Sequence, residues 1–249
     1  MEILAFFAHP DDETILAGGT LALMSELGHN VHYLIATRGE GGECGDPPLC
    51  TRPELGKVRE KETSAAVNAL GGKSLTFLNY IDPVVGPQNE LFSFVPEISP
   101  VLASLSQTIH QRNIEILISH GSNGEYGHPA HLTVYSTVKE FFRLNSLNLI
   151  WYTSQAYYSA SQKPHLANKE DKADWVLDVS SVFERKLKAA QSHATQHALF
   201  VRRKKDELKR EVKLEEVIAS EESFRLAGGS QDILREVFSN KGYLKSIIN

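Results

Sequence analysis

Continuous apolar runs alternate with amphipathic stretches along the first two thirds of the chain. Residues 3–8 form the first run, the pattern of a strand that is buried on both faces. The same reasoning predicts further strands over 31–36, 74–80, 114–119 and 149–154, and helices over 13–27, 57–70, 101–111 and 129–142. Because strands and helices alternate, we expect a parallel sheet with right-handed crossovers.

The last third is more polar and its pattern is less regular. It predicts a surface loop or flap over 162–174, a short edge strand over 175–179, and helices over 182–200 and 202–216. The predicted fold class is α/β: a Rossmann-like parallel sheet flanked by helices (about 1–160) with a smaller C-terminal α/β extension (about 161–249). We expect one domain over 1–249, since no linker-like segment divides the chain.

Two segments of the predicted core depart from regular patterning. The first helix contains Gly18-Gly19, which costs about 1 kcal/mol per Gly in a helix interior and suggests a close approach to the sheet or to a site. Residues 37–56 form a long loop rich in Gly and Pro, which follows the second strand and is placed to cover the end of the first. Cys44 and Cys50 lie in this loop; we expect plain thiols, although a bridge or soft metal ligands are alternatives.

Charge and hydropathy exclude several classes of protein. The chain has 249 residues with 26 basic and 31 acidic side chains, a net charge of −5, so no basic excess attracts nucleic acid. No apolar stretch reaches the roughly 18 residues of a membrane span. The chain starts Met1-Glu2 without a basic leader, and we therefore expect a cytoplasmic protein.

The first strand ends in a turn that carries one imidazole and three carboxylates, His9-Pro10-Asp11-Asp12-Glu13. In open α/β sheets ligands bind at the carboxyl ends of the strands, where this turn lies. An ordinary helix N-cap is the alternative, but a cap requires one acid rather than three. The turn also lacks the Gly-x-Gly-x-x-Gly pattern of a dinucleotide site. Carboxylates repel phosphate and attract cations, so the turn suggests half of a metal site.

The fourth strand leads into a second turn that is rich in histidine, from His120 to His131. Pro129 suits the first position of a helix, and His128 and His131, three residues apart, share a face of its first turn. In a doubly wound sheet the turns after strands one and four face each other. Two His and one carboxylate with an open coordination position are typical of catalytic zinc, although the spacing does not decide which acid ligates and other divalent ions fit.

These segments resemble a known family. Ala8-His9-Pro10-Asp11-Asp12-Glu13, together with Gly127-His128-Pro129-Ala130-His131, is similar to the paired motifs of the LmbE-like, or PIG-L, family of zinc-dependent N-deacetylases. The segment His193-Ala194-Thr195-Gln196 and the helix that carries Arg59 and Glu62 resemble further motifs of the family. The resemblance spans about residues 3 to 200.

The resemblance implies a role for each matching residue. His9, Asp12 and His131 would bind Zn²⁺ or another divalent transition metal, and Asp11 would be the general base. Protonated His128 and Tyr126 would stabilise the oxyanion. The predicted substrate contacts are Arg59, Asp82 and His193. For Arg59 a surface ion pair is the alternative, and for Asp82 a role as turn former.

Two positions depart from the family pattern. Ala130 stands where many members have an Asp that supports a ligand, which leaves the tuning of the metal open. His120 stands where members often carry an acid or another polar group, and we interpret it as a simple strand-end residue rather than as a support of the site.

The expected reaction is removal of an acetyl group from an N-acetylglucosamine-type amino sugar or its conjugate. The partner is a small molecule, with no nucleic acid, and a homo-oligomer is possible. Three alternatives are an amidase on a related thiol-sugar conjugate, a metal and sugar binding module without turnover, and a metal-free nucleotide-binding domain.

Overall fold

The computed structural model describes residues 1–146, 148–159 and 167–245. The strands are β1 (Glu2–Phe7), β2 (Asn30–Thr37), β3 (Ser74–Tyr80), β4 (Ile116–Ser119), β5 (Ile150–Ser154), β6 (Ala156–Tyr157), β7 (Asn168–Lys172), β8 (Trp175–Asp178), β9 (Glu221–Gly228) and β10 (Leu244–Lys245). The helices are α1 (Asp12–Glu26), α2 (Leu55–Leu70), α3 (Ser99–Arg112), the single turn α4 (Gly124–Gly127), α5 (Pro129–Leu144), α6 (Phe183–Ser192), α7 (His197–Leu208) and α8 (Ile233–Asn240). Within the described ranges no helix is long and apolar enough to cross a membrane.

Among the residues that the structure describes, the main sheet has eight strands in the order β10-β8-β9-β5-β4-β1-β2-β3. β3, β2, β1, β4 and β5 are parallel, which is the order of a Rossmann-like sheet, and the predicted fold class is confirmed. β9 and β8 extend the same sheet in antiparallel pairing, so the C-terminal part adds strands to the core sheet. β1 lies between β2 and β4; the connection from β1 leads to β2, whereas the connection from β4 leads to β5 on the opposite side.

β1 is apolar from Ile3 to Phe7, as its burial between helices on both faces requires. Ile3, Ala5 and Phe7 pack in the core on the side of α1, whereas Leu4 and Phe6 pack in the core beneath α3 and α5. Neither set has contact with water. The turn that follows β1 is therefore anchored by a strand that is held from both sides.

The strand predicted over 175–179 is present as β8, but the prediction that it lies at the edge of the sheet is wrong. β8 lies inside the sheet, between β9 and β10, and β9 had no strand signal in the sequence. β9 begins with two acids. The buried Glu222 carboxylate pairs with Lys186 of α6 at 2.7 Å, and it also accepts hydrogen bonds from the backbone N–H groups of Gly19 and Thr20 in α1. In the sequence these acids suggest a surface segment, because the groups that offset the charge of Glu222 lie far away along the chain.

The predicted helix over 182–200 is divided. α6 ends at Ser192 and α7 begins at His197, because side chains between them turn inward. Thr195 donates from its backbone N–H and its hydroxyl to the Glu62 carboxylate, at 2.9 and 2.7 Å. The helix predicted over 202–216 ends at Leu208, and Lys209 has a positive φ of 53°.

Part of the loop predicted over 162–174 lies outside the described residues, namely 162–166. The remainder contains β7, which pairs in parallel with β6 in a small second sheet. The close approach predicted for the Gly pair in α1 is confirmed at Gly19, where an added Cβ would lie 2.5 Å from Val179.

Candidate metal centre

The carboxyl ends of β1 and β4 bring the two histidine-containing turns together. His9 Nδ1 lies 3.2 Å from Asp12 Oδ2, and His131 Nε2 lies 3.4 Å from Asp12 Oδ1. The ring centroids of His9 and His131 are 5.2 Å apart. All three side chains are buried, so the Asp12 carboxylate lies between two imidazoles in a site that is shielded from bulk water.

The donor set fits a metal ion. Among the described residues, His9 Nε2 and His131 Nε2 are buried without a hydrogen-bond partner. One ligand atom each from His9, Asp12 and His131 can be chosen so that the three atoms lie within 4.8 Å of one another. Buried polar atoms of this kind are normally hydrogen-bonded, and two imidazoles with one carboxylate satisfy Zn²⁺ and related divalent ions.

Two pKa shifts show that the site favours positive charge. Burial lowers the pKa of His9, but Asp82 and Asp12 outweigh burial and raise it to about 9. Burial also disfavours a charged His131, and Asp12 with Glu125 raises its pKa to about 10. An electrostatic environment that attracts a second proton onto imidazole also attracts a cation.

Glu125, which the sequence reasoning missed, supports the site from behind. Its Oε2 atom accepts hydrogen bonds from His131 Nδ1 at 2.6 Å and from His120 Nδ1 at 2.9 Å. The interpretation of His120 as a simple strand-end residue is wrong, because its buried ring also accepts the Ala8 N–H on Nε2 at 3.0 Å. The acid that Ala130 cannot supply is thus present five residues earlier, and only the fold reveals it.

Asp11 is held by Arg59 and does not cap α1. Arg59 Nη2 donates to Asp11 Oδ2 at 2.9 Å and to the Pro10 carbonyl at 2.6 Å, and Asp11 makes no side-chain cap hydrogen bond. Arg59 is buried, which excludes the surface ion pair that was its alternative. Burial raises the pKa of Asp11 to about 6, although the Arg59 guanidinium opposes the shift. Asp11 also has a positive φ of 89°.

His128 and Tyr126 line the other side of the site. The His128 ring stacks on His131 with centroids 4.7 Å apart, and the Tyr126 ring lies 5.4 Å from His131. Burial, with His9 and His131 nearby, lowers the pKa of His128 to about 3. These surroundings favour a neutral His128 ring, whereas the sequence predicted a protonated one. The Ala130 N–H donates to His128 Nδ1 at 3.2 Å, so the neutral ring carries its proton on Nε2.

The remaining predicted substrate contacts occupy different positions. Asp82 Oδ1 lies 3.3 Å from His9 Nε2, so this carboxylate faces the centre. His193 is fully buried, and its Nε2 lies 2.9 Å from Glu13 Oε1, behind the turn that carries Asp11 and Asp12. Because both contacts lie within the protein itself, the roles of Asp82 and His193 as substrate contacts stay predictions.

Fold and site together define a Rossmann-like protein with a buried candidate site for a divalent metal at the switch point of the sheet. The family model described as PIG-L: GlcNAc-PI de-N-acetylase matches residues 4–142, more than half of the chain. The chain belongs to this family.

Similar proteins agree with that assignment. A 1D-myo-inositol 2-acetamido-2-deoxy-alpha-D-glucopyranoside deacetylase of Rhodococcus erythropolis is 28% identical over 78% of this chain and 80% of its own length. A probable N-acetyl-alpha-D-glucosaminyl L-malate deacetylase 2 of Bacillus anthracis is 30% identical over 84% of this chain and 85% of its own. The chain is therefore a deacetylase, an enzyme that hydrolyses amides.

Solved structures share the fold. N,N'-diacetylchitobiose deacetylase from Pyrococcus horikoshii has a TM-score of 0.66 at 21% identity, with 90% of this chain and 83% of that chain covered. GalB, the 4-carboxy-2-hydroxymuconate hydratase from Pseudomonas putida KT2440, has a TM-score of 0.62 at 20% identity, with 92% and 97% covered. Because one is a hydratase, the fold alone does not fix the reaction.

Proposed function

We propose that the protein removes the acetyl group from a conjugate of N-acetylglucosamine, with Zn²⁺ as the cofactor. The observation that carries the proposal is the buried arrangement of His9, Asp12 and His131, in which the Nε2 atoms of both rings make no hydrogen bond to the described residues. The two relatives act on glucosaminyl conjugates of inositol and malate, which supports an amino sugar as the substrate. A cytoplasmic location stays a prediction, as does the oligomeric state.

His9, Asp12 and His131 would hold the zinc ion. Bound zinc supplies Lewis acidity, which polarises an amide carbonyl and lowers the pKa of water. Three protein ligands leave a coordination position open, as a catalytic site requires. Asp82, whose Oδ1 atom faces His9, would orient that ring or contact a sugar hydroxyl.

Asp11 would move the proton. Arg59 occupies its Oδ2 atom, so Oδ1 is the oxygen that accepts a proton from the attacking water and then gives it to the leaving nitrogen. A carboxyl group whose pKa burial raises to about 6 suits both steps, because it is largely ionised at neutral pH and still binds a proton readily. The Arg59 contact fixes the orientation of the carboxylate.

His128 and Tyr126 would stabilise the negative charge that develops on the carbonyl oxygen. The neutral His128 ring presents an N–H at Nε2, because its Nδ1 accepts a backbone hydrogen bond. The Tyr126 side chain is half exposed, but desolvation of its hydroxyl and the nearby carboxylates raise its pKa, which keeps the hydroxyl protonated as a donor. Each donor to an oxyanion is worth about 3 kcal/mol in comparable enzymes.

Arg59 and His193 were predicted as substrate contacts, and their burial suggests that they act through Asp11 and Glu13. If so, replacing either should lower kcat more than it raises KM. A lower kcat/KM that comes from KM alone would restore the role of direct contact. We also propose that the whole chain acts as one domain, since the C-terminal strand β9 pairs with β5 of the core.

The test is acetate release from a panel of N-acetylglucosamine conjugates, including inositol and malate glycosides. Activity should disappear when the protein is treated with a chelator and return when Zn²⁺ is restored. Parallel assays with Co²⁺ and Fe²⁺ would identify the preferred metal. No release from any conjugate by a protein that binds one metal per chain would favour another amide or a binding role.

A further inference from the structure

We infer that Glu125 is a positioning residue for the metal centre: its single carboxylate orients His131 directly and, through His120, fixes the turn that carries His9. The inference rests on the proposed metal-binding role of His131 and His9. It concerns how the centre is assembled rather than which reaction it performs.

One oxygen of Glu125 determines which nitrogen His131 offers. Oε2 accepts the hydrogen bond from His131 Nδ1 over 2.6 Å, and a carboxylate can only accept. Nδ1 must therefore carry a proton, so Nε2, which faces Asp12 Oδ1 at 3.4 Å, is the nitrogen whose lone pair a metal ion would take in place of a proton. A carboxylate that accepts from the far nitrogen of a metal-binding His fixes its tautomer and raises its basicity.

The same oxygen reaches the opposite turn through His120. His120 Nδ1 donates to Glu125 Oε2 at 2.9 Å, so its Nε2 is the nitrogen that accepts the Ala8 N–H at 3.0 Å. Ala8 directly precedes His9 in the chain. A relay of two hydrogen bonds thus joins the carboxylate to the backbone that sets the position of the second imidazole.

The backbone around Glu125 is strained in order to place this group. Its φ of 58° and ψ of −61° lie in a region that residues with a side chain rarely adopt, at a cost of about 1–3 kcal/mol. The side chain is nevertheless fully engaged, since Oε1 accepts from Gly121 N at 3.1 Å and from Asn168 Nδ2 at 3.0 Å. Asn168 Oδ1 in turn accepts the Glu125 N–H at 3.1 Å.

This combination argues against a merely structural Glu. Glycine would occupy such a conformation without strain, whereas a buried carboxylate needs several donors to offset its loss of hydration. Two of the donors are imidazoles of the centre, and the others hold the acid in place. A carboxylate at this position can accept hydrogen bonds from His131 and His120, and a glycine cannot.

The decisive measurement is the dissociation constant for Zn²⁺, determined by competition with a chromophoric chelator. Glu125→Gln should weaken zinc binding about 10–100-fold, the usual effect of losing an acid that supports a ligand. Glu125→Gly is the second variant, because it removes the carboxylate and relieves the strained φ. Circular dichroism of the metal-free proteins reports whether each variant folds.

Asp171→Asn provides the matched control. Asp171 is also a buried carboxylate that accepts a backbone N–H of the same turn, from Ser122 at 2.8 Å, but it pairs with Arg225 rather than with a histidine. Asp171→Asn should change zinc affinity less than about 3-fold. Equal losses in the Asp171 and Glu125 variants would overturn the inference, because they would show a general effect of the turn.

A measurement on the unaltered protein does not depend on the folding of any variant. In the zinc-loaded enzyme, ¹⁵N NMR of the histidine rings should show His131 and His120 with the proton on Nδ1. A proton on His131 Nε2, or zinc affinity that Glu125→Gly leaves unchanged, would overturn the inference while acetate release and its metal dependence still stood. If the unaltered protein bound no metal, both the inference and the proposed function would fail.

Discussion

Arg59 Nη2 lies 2.9 Å from Asp11 Oδ2; the guanidinium is buried, and the carboxylate is partly buried. The pair links α2 to the turn after β1, across 48 residues of sequence. It gives the candidate base a fixed orientation and leaves one of its oxygens available. The same contact explains why an arginine can lie buried beside a cation site, since its charge is neutralised by the acid that it orients.

Replacing Asp11 should separate proton transfer from metal binding. Asp11→Asn keeps the shape of the side chain but removes the proton acceptor, and we expect kcat to fall about 10²–10⁴-fold. The bound metal should stay near one per chain, because Asp12 rather than Asp11 lies between the imidazoles. Full activity with metal still bound would show that another group is the base.

Replacing Arg59 tests the orientation of that base. Arg59→Lys retains the charge but lacks the second nitrogen with which the guanidinium reaches both the Asp11 carboxylate and the Gly39 carbonyl. We expect a fall in kcat of about tenfold or more and a smaller change in KM, measured with the best substrate of the panel. A change confined to KM would instead indicate that Arg59 contacts the sugar.

Removal of a metal ligand should abolish binding rather than only slow the reaction. Asp12→Ala leaves the buried rings of His9 and His131 without the carboxylate between them. We expect less than about 0.1 metal ion per chain by elemental analysis after dialysis, with acetate release at background. Retention of one ion per chain would contradict the ligand set.

The glycine pair of α1 allows a matched stability test. An added Cβ at Gly19 would lie 2.5 Å from Val179, whereas at Gly18 the nearest atom is the flexible Lys186 Cγ at 3.4 Å. Gly19→Ala should destabilise by about 1–3 kcal/mol through overpacking. Gly18→Ala should be neutral or stabilising by up to about 1 kcal/mol. Urea unfolding of both variants checks the contrast, and equal effects would contradict the close approach.

His193 should make stability depend on pH. Burial lowers its pKa, but the Glu13 carboxylate, with Asp11 nearby, outweighs burial and the opposing Arg59 and leaves the pKa above the ordinary 6.5. The folded protein therefore holds this proton more tightly than the unfolded chain. The stabilisation is complete below about pH 6.5 and is lost as the pH rises through the folded pKa.

His193→Gln should remove that dependence. The free energy of unfolding of the unaltered protein should fall above pH 6.5, by up to about 1.4 kcal/mol for each unit by which the folded pKa exceeds the ordinary value. The variant should show a flatter profile over the same range. Parallel profiles for both proteins would mean that Glu13 does not hold a proton on His193.

Local signals in the sequence were sufficient for the parallel core. The apolar run of β1 and the Pro129 helix start depend on neighbours in the chain, and the structure has both where the pattern predicts them. Elements stabilised by distant charges gave no such signal. β9 begins with acids and therefore looked polar, although its buried Glu222 is neutralised by the distant Lys186. The helix predicted over 182–200 breaks where Thr195 turns towards Glu62.

The sequence by itself determined the residue types that could bind a metal and the strand ends where they lie. Which groups support them was decided only by the tertiary structure: Glu125 behind His131, His120 on the Ala8 backbone, and Arg59 on Asp11. The tertiary structure also determines the pKa of His128, which depends on burial and on imidazole rings from two different turns. Short-range patterning specifies secondary structure, whereas hydrogen bonds and charges between distant segments exist only after the chain has folded.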